Sequence, residues 1–456
     1  MADGSAEFTA CRAEVSQADR LGEKFLFGWS FLCEDFSILG KGLFLMRNRW
    51  LIALSAIGIH ISIGSVYAWS VLTKPMMAEM GAGLKEITWV FSIAILFLGM
   101  SAGFLGSFAE KIGPKKSGLM AAGFFGTGML GTALAIYLHS LPLLYLFYGC
   151  IGGVGLGLGY IAPVSTLVKY FPRHRGFATG LAIMGFGFAA LLAGPLMQHL
   201  SAAYGLVNNF LIMGLAYTLL MAASSLYLKP PVLADARHTI NQRQQGVTAG
   251  EAMKTWQFGA LWWIFFVNIT CGIGLLAVAS PLAQEAAGMD AAQAASMVGI
   301  IGLLNGAGRI FWSSISDFLG RAVTYALFFV IELAAFGLLA GAGEPVMFQA
   351  LVFLIITCYG GGFSCMPAYL SDLFGTRQLS AIHGRILTAW GMAGLAGPTL
   401  IAVFRESGSG YSAALYFFAA CFAVNLLIAL WLKARGQSGE DFVFVPASGE
   451  VSKGNC

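Results

Sequence analysis

Two charged side chains lie inside long apolar stretches of the sequence. Arg309 falls in the run 293–315, and Glu332 lies near the centre of the run 322–342. A charge in a lipid-spanning helix costs at least about 2.5–3.5 kcal/mol, so both residues are candidates for function. A guanidinium matches a carboxylate with two parallel hydrogen bonds and stays charged when partly dehydrated. Arg309 is therefore our first candidate to bind an anion; an ion pair with Glu332, or a place in a gate, is the alternative.

Polar side chains near these charges could assist binding or carry a proton. Asn305 precedes Arg309 by one helical turn and faces the same side, where it would hold the guanidinium, bind a substrate or simply pack. His60 lies seven residues before Tyr67, on nearly the same helix face. Histidine titrates near neutral pH and a buried glutamic acid can hold a proton. His60 and Glu332 are thus candidates for proton coupling, with structural accommodation as the alternative for both.

The chain that holds these residues is too apolar for a water-soluble fold. Of its 456 residues, 58% are hydrophobic and 11% are charged, whereas about a quarter are charged in soluble domains. A bilayer core needs about 20 apolar residues per spanning helix. Twelve such runs are found, at 51–73, 88–108, 117–138, 143–168, 177–198, 206–228, 259–282, 293–315, 322–342, 346–370, 381–403 and 411–432. The sequence predicts an all-α integral membrane protein with twelve transmembrane helices.

A polar interval divides these helices into two pseudo-symmetric bundles of six. The predicted parts are an N-terminal bundle at 46–228, a cytoplasmic linker at 229–258, a C-terminal bundle at 259–435 and a cytoplasmic tail at 436–456. Residues 1–45 fit neither bundle. They form a disordered tail or, if Met46 is the true start, are not translated.

The two halves repeat short motifs. Gly194-Pro195 and Gly397-Pro398 lie 203 residues apart, and the acids Glu110 and Asp317 lie 207 apart. Repeats of this kind place a substrate site between the halves, near the middle of the bilayer.

The loops differ in positive charge. Those on the side of the chain's N-terminus hold eighteen Lys and Arg residues, and those on the opposite side hold three. Lys and Arg concentrate in cytoplasmic loops. The bias predicts a multi-pass protein of the cell (inner or plasma) membrane with both termini in the cytoplasm.

No catalytic, metal or cofactor site is indicated. The 8 cysteines form no CxxC or Cys/His spacing, and no GxxxxGK[ST] phosphate loop occurs. No nucleophile–base motif lies in the helices. The pattern favours neither an enzyme nor an ATP-driven pump, and it indicates no nucleic-acid partner.

A loop motif resembles a known family. The stretch from Gly106 through Glu110, Lys111 and Gly113 to Lys116 resembles the loop signature of the major facilitator superfamily, and Asp317 to Arg321 repeats it in the second half. In this motif the glycine lets helices approach and the acid can cap a neighbouring helix.

Three further stretches resemble the oxalate/formate antiporter group, which is related to the monocarboxylate transporters. They are 64–70 in helix one, 305–312 in helix eight and 383–390 in helix eleven. The likeness spans about 46–435.

The resemblance implies roles for individual residues. In this group an arginine at the position of Arg309 contacts the anionic substrate, and Tyr67, Tyr359 and Trp390 lie on helices that line the cavity, where ordinary packing is the alternative. Monocarboxylate transporters typically have an aspartate at the position of Asn305 that takes part in proton coupling, which an asparagine cannot do.

One departure from the group bears on the substrate. Oxalate-transporting members carry a lysine on helix eleven, and 386–398 contains none. One buried cation balances one negative charge, so a dianion would leave an unpaired charge. We expect a monomeric secondary transporter of monocarboxylates such as formate, lactate or pyruvate, working by anion exchange or proton symport. The alternatives are an oxalate/formate-type dicarboxylate antiporter, a carrier of neutral or drug-like compounds, and a non-transporting sensor on the same fold.

Overall fold

The computed structural model describes residues 48–231, 246–408 and 410–437, which are mostly helical and contain no β-strand. The predicted tail at 1–45 and most of the tail at 436–456 lie outside the described residues.

Twelve long helices, numbered in chain order, make up the described chain. They are α1 Arg49–Met80, α2 Leu84–Ile112, α3 Pro114–Tyr137, α4 Leu141–Tyr170, α5 (175–204), α6 (206–227), α7 Trp256–Ala287, α8 Ala291–Leu319, α9 Arg321–Leu339, α10 Pro345–Phe374, α11 Leu379–Glu406 and α12 Gly410–Gln437. Most extend beyond the predicted apolar runs by a few residues at each end.

Helices α5 and α6 are joined without a loop. Together they form the continuous segment Arg175–Tyr227, which counts as one of eleven described segments long and apolar enough to cross a membrane. Its 53 residues would reach ~80 Å if straight, more than twice a bilayer core of about 30 Å. Gly205, with φ 83° and ψ 164°, breaks the helix, so the segment supplies two crossings. The predicted runs 177–198 and 206–228 thus correspond to two helices, α5 and α6, which meet at Gly205.

Glycines with positive φ recur at equivalent turns. Gly113, Gly205, Gly320 and Gly408 have φ of 82°, 83°, 84° and 78°. They lie at the turns α2–α3, α5–α6, α8–α9 and α11–α12, so each group of three helices has such a turn between its second and third members. This left-handed conformation is readily adopted by glycine. The sequence motifs repeat between the two six-helix halves. These turns show that the structure also repeats at the level of three helices.

Close backbone approach joins the two halves. A Cβ on Gly99 in α2 would lie 2.6 Å from the backbone nitrogen of Gly391 in α11. A Cβ on Gly187 in α5 would lie 2.6 Å from the Cα of Gly306 in α8. Small residues allow membrane helices to pack at such distances. The pairs α2–α11 and α5–α8 thereby form the interface between the bundles.

The linker ends earlier than predicted, since α7 begins at Trp256 rather than at 259. Its described part contains a one-turn helix, Ala249–Ala252, that begins with a capping box between Thr248 and Glu251. Hydrogen bonds from Thr248 hold the pKa of the Glu251 carboxyl below its usual range. The backbone nitrogen of Val247 donates to Phe374 O at 3.1 Å, which ties the linker to the end of α10.

Candidate functional site

Arg309 lies at the interface of the two halves and is fully buried. Its Nε donates to Asn305 Oδ1 at 3.2 Å, and its Nη1 donates to the backbone oxygen of Ile183 in α5 at 3.4 Å. The remaining terminal nitrogen, Nη2, has no hydrogen-bond partner. The guanidinium is therefore fixed on one edge and has an unused donor on the other.

Aromatic rings flank this guanidinium on both sides of the interface. The Arg309 Cζ atom lies 5.7 Å from the ring centre of Phe186 in α5 and 5.1 Å from that of Phe363 in α10. Cations are attracted to aromatic faces at such distances. These contacts, with the hydrogen bonds to Asn305 and Ile183, allow a cation to be buried without a carboxylate partner.

Glu332 does not pair with Arg309. It is buried in the C-terminal half, where Asn268 Nδ2 in α7 lies 3.1 Å from each of its carboxylate oxygens. Among the residues that the structure describes, Arg309 forms no ion pair. The alternative of an intramembrane Arg309–Glu332 salt bridge is thus wrong.

The three aromatic residues singled out from the sequence lie together beside Arg309. The hydroxyls of Tyr67 and Tyr359 are 3.4 Å apart and join α1 to α10 across the interface. The Trp390 ring lies 6.4 Å from that of Tyr67 and 4.8 Å from that of Phe363. Trp390 Nε1 is buried without a partner. A short 3-10 turn, Ser65–Ala68, interrupts α1 at Tyr67, and departures from α-helical geometry inside a helix often mark functional positions.

His60 is also buried at this interface. Its Nδ1 lies 2.9 Å from the backbone oxygen of Ala56, one turn earlier in α1. Its ring meets that of Tyr160 in α4 edge to face, with centres 5.2 Å apart. Tyr67 and Tyr160 both lie within electrostatic range of the Arg309 guanidinium.

The loop motif of the first half closes one end of the interface. We call this the basic end, since it carries the α2–α3, α4–α5, α8–α9 and α10–α11 turns, which belong to the side of the chain with eighteen loop Lys and Arg residues against three on the other side. Glu110 Oε2 accepts a hydrogen bond from the backbone nitrogen of Ser380, in the first turn of α11, at 3.0 Å, and Glu110 Oε1 pairs with Lys169 at 2.9 Å. Gly106 lies against Ser380, and Lys111 is exposed. The acid thus caps a helix of the opposite half.

The second half repeats this arrangement. The two carboxylate oxygens of Asp317 accept from the backbone nitrogens of Gly176 at 2.8 Å and Phe177 at 2.9 Å, in the first turn of α5. Arg321 pairs with Asp317 at 2.5 Å, and it also pairs with Asp372 at 3.0 Å. Each half therefore presents a carboxylate to a helix N-terminus of the other half, where anions are favoured.

Further contacts complete the closure at this end. Arg175 pairs with Asp372 at 3.1 Å, and the hydroxyls of Ser165 and Ser380 are 2.6 Å apart. No comparable network joins the halves at the opposite end within the described residues. The structure is thus sealed at the basic end.

This architecture matches one family. The profile described as the Major Facilitator Superfamily matches residues 51–334 and 261–446. The chain belongs to this superfamily.

Members of the superfamily with assigned names are similar over most of the chain. The oxalate:formate antiporter of Oxalobacter formigenes is 28% identical over 368 residues, which cover 78% of this chain and 85% of that protein. The apicoplast pyruvate carrier 1 of Toxoplasma gondii is 24% identical, covering 75% of this chain and 81% of that protein. Among solved structures, the E. coli fucose:proton symporter has a TM-score of 0.67 at 15% identity, covering 84% of this chain and 99% of its own.

This major facilitator protein is thus a multi-pass membrane transporter of small molecules, and its relatives and structural neighbours are transporters rather than enzymes. Its structure assembles Arg309 with Asn305, Tyr67, Tyr359 and Trp390, and it leaves Glu332 apart from them.

Four residues of this assembly were not predicted from the sequence. They are Tyr160, Phe186, Phe363 and His383. Each lies in a helix that is apolar on all sides, so hydrophobic periodicity does not reveal an inward face. His383 could have been singled out from the sequence, because it is a polar residue near the start of an apolar helix.

Proposed function

We propose that this transporter carries small monocarboxylate anions across the membrane by alternating access. The observation that carries the proposal is Arg309, a fully buried cation between the two halves with an unused Nη2 donor and no acidic partner among the described residues. A carboxylate bound there would accept this hydrogen bond and neutralise the charge.

The charge balance favours an anion with one negative charge. Arg309 is the cation that the interface presents at this level, and described α11 supplies no second one near Trp390. A dianion such as oxalate would keep one uncompensated charge in a desolvated site, which is costly. Formate, lactate and pyruvate have a single carboxylate each and fit this balance.

Two relatives support the carboxylate class. One is named for the exchange of oxalate and formate, and the other for the transport of pyruvate. Both names describe small organic acids, which agrees with a single guanidinium flanked by aromatic rings.

Because the basic end is closed in this structure, we take this conformation as the first state of the transport cycle. We place this end in the cytoplasm, because cytoplasmic loops are rich in Lys and Arg. In this conformation Arg309 would exchange substrate with the opposite, external side. Parting of the α2–α11 and α5–α8 contacts at the basic end would then release the anion inward, with Pro195 in α5 and Pro398 in α11 as sites of helix flexing. One chain supplies the whole site, so we propose that it works as a monomer.

A carrier of neutral or drug-like compounds would need an acidic cavity or an Arg309 held by Glu332. Glu332 faces Asn268 instead, so no observation favours that reading. A sensor on the same fold would bind the anion without moving it, and flux measurements separate the two.

The test is uptake of labelled formate, lactate and oxalate into proteoliposomes by the wild type, Arg309→Gln and Arg309→Lys. Hydrogen bonds to charged groups contribute about 1.5–3 kcal/mol, so Arg309→Gln should lower monocarboxylate flux by about 10–100-fold. Arg309→Lys keeps the positive charge but lacks the planar guanidinium, so this variant should also lose most of the monocarboxylate flux.

Arg405→Gln is the matched control, because Arg405 is exposed and pairs with Glu285 away from the site. Its flux should equal that of the wild type. Monocarboxylate flux that survives in folded Arg309→Gln would overturn the proposal, and saturable oxalate flux lost in that variant would overturn the preference for monocarboxylates.

A further inference from the structure

Beside Arg309, three polar aromatic residues form a second group at the interface, which we call the histidine layer: His60, Tyr160 and His383. They come from α1, α4 and α11 and are all fully buried. The Tyr160 ring lies 5.2 Å from the His60 ring and 5.9 Å from the His383 ring, measured between centres. The layer therefore spans both halves of the protein.

Most polar atoms of this layer lack hydrogen-bond partners. Both ring nitrogens of His383, the Tyr160 hydroxyl and His60 Nε2 are buried and unpaired. The His60 ring also lies close to the Tyr160 backbone. A buried polar group without a partner costs about 1–3 kcal/mol. A cluster of such groups at a moving interface indicates a ligand or another conformation that satisfies them.

The layer reaches from the level of Arg309 toward the basic end. A Cβ on Gly185 in α5 would lie 3.2 Å from His60 Cβ, and one on Gly187 would lie 3.2 Å from Arg309 Nε, so His60 is level with the guanidinium. His60 precedes Tyr67 by seven residues in α1, and His383 precedes Trp390 by seven in α11, a separation of about 10 Å along each helix axis. Toward the basic end, the next contact between the halves is the hydroxyl pair Ser165–Ser380. His383 therefore lies between the level of Trp390 and the Ser165–Ser380 contact, on the side of the site that faces the basic end.

Two tyrosines and three charged groups face the layer, and two of these charges form an ion pair with each other. They are Tyr67 on α1, Tyr359 on α10, Arg309 on α8 and, about one turn beyond His383, Glu110 on α2 with its partner Lys169 on α4. In α5, the described residues between Arg175 and His199 include no titratable side chain. Arg309 is thus the charge that decides whether a histidine here can become positive.

We propose that the histidine layer is the proton site of a proton–monocarboxylate symport. This inference rests on the proposed function. With the site empty, a proton on His60 or His383 would place a second buried cation near Arg309, which is unfavourable. A carboxylate on Arg309 removes that repulsion, so anion binding favours proton binding and, by linkage, proton binding favours anion binding.

Asn305 strengthens this assignment, because its amide cannot take up a proton beside Arg309. Histidine is the residue type whose ordinary titration range lies near neutral pH, so His60 and His383 are the groups of the layer that can take up a proton. One proton and one ionised carboxylate enter from the external side, bound to the layer and to Arg309. When the Ser165–Ser380 contact opens, both leave at the basic end, and the net charge moved is zero.

The test compares two modes of lactate flux in proteoliposomes. Exchange is measured at equal pH with unlabelled lactate inside, and accumulation is measured with an inward proton gradient. A gradient of one pH unit supplies about 1.4 kcal/mol of free energy per proton, which corresponds to a tenfold concentration ratio. Wild-type protein that couples one proton to each lactate should therefore accumulate lactate about tenfold per pH unit. A pH-sensitive dye inside the vesicles should report one proton per lactate, a readout that needs no variant.

The variants are His60→Asn and His383→Gln. Asparagine at 60 keeps a donor close to the position of Nδ1, which contacts Ala56 O. In both variants the accumulation ratio should fall to about one, that is by about tenfold for one pH unit, while exchange remains measurable. His199→Gln is the control, because His199 is exposed at the far end of α5, and it should accumulate lactate as the wild type does.

Exchange by the wild type without a response to the gradient would overturn the inference and leave the proposed function intact. Gradient-driven accumulation that persists in both variants would overturn it as well. Neither exchange nor accumulation of any monocarboxylate by folded wild type would overturn the proposed function itself, and this inference with it.

Discussion

Asn268 Nδ2 lies within 3.1 Å of both carboxylate oxygens of Glu332. The C-terminal half therefore buries an acid and a base separately, the acid with an amide in α7 and Arg309 with an amide in α8. This separation leaves Arg309 free to meet a carboxylate from outside the chain, and it assigns the two charges different roles.

Glu332→Gln should leave transport and stability close to those of the wild type. Asn268 Oδ1 has no partner, and a glutamine amide can donate to it while its oxygen accepts from Asn268 Nδ2. Glu332→Leu should be less stable by about 1–3 kcal/mol, because the Asn268 amide is then buried unpaired. Thermal unfolding in detergent and lactate uptake measure the two effects. Loss of uptake in well-folded Glu332→Gln would instead assign Glu332 a part in coupling.

Asn305→Asp should weaken substrate binding. A carboxylate one turn before Arg309 would occupy the guanidinium that now contacts the Asn305 amide at 3.2 Å. A competing charged interaction of about 1.5–3 kcal/mol should raise the KM for lactate by about 10–100-fold at pH 7.5. The effect should shrink as the pH is lowered and the new acid is protonated. Asn305→Ala is the control, since it removes the contact without adding a competitor; an equal KM in both variants would contradict this account.

Tyr67→Phe should raise the KM for the anion moderately. The Tyr67 hydroxyl faces Tyr359 OH at 3.4 Å and lies within range of Arg309, so it is placed to donate to a bound carboxylate. One hydrogen bond of about 0.5–1.5 kcal/mol corresponds to a change of about 2–10-fold. Tyr137→Phe serves as the control, because Tyr137 is 71% exposed. A KM unchanged by Tyr67→Phe would limit this residue to packing.

Asp317→Ala should open the basic end. The substitution removes two hydrogen bonds to the N-terminus of α5 and the ion pair with Arg321. A lost cap costs about 1 kcal/mol, which shifts a two-state equilibrium by about fivefold. Spin labels at Lys111→Cys and Arg377→Cys, exposed positions in opposite halves, should show a larger population of long distances.

Glu110→Ala should act in the same direction, because it removes the equivalent cap on α11. Glu285→Ala breaks an exposed ion pair away from the basic end and should leave the distances unchanged. If both cap variants kept the wild-type distance distribution, the carboxylates would not be what holds this end closed.

Much of the candidate site follows from Arg309 and its near neighbours in sequence. A charge in an apolar run is conspicuous at any position, and helical spacing alone places Asn305 beside it, as the 3.2 Å hydrogen bond confirms. For Glu332 the sequence left a pair with Arg309 open beside structural accommodation, and only side-chain direction shows that Glu332 in α9 contacts the amide of Asn268 in α7.

By itself the sequence determined twelve apolar crossings, two similar halves, a cation inside an apolar run and an acid at the same loop in each half. These features depend on composition and on spacing within one helix, which lipid and helical geometry dictate. The tertiary structure decided which helices pair across the interface, which end is closed, and that His60, Tyr160 and His383 meet. Those contacts join residues more than 90 positions apart, in helices whose lipid-facing and core-facing sides are equally apolar, so packing between helices, and not periodicity, selects them.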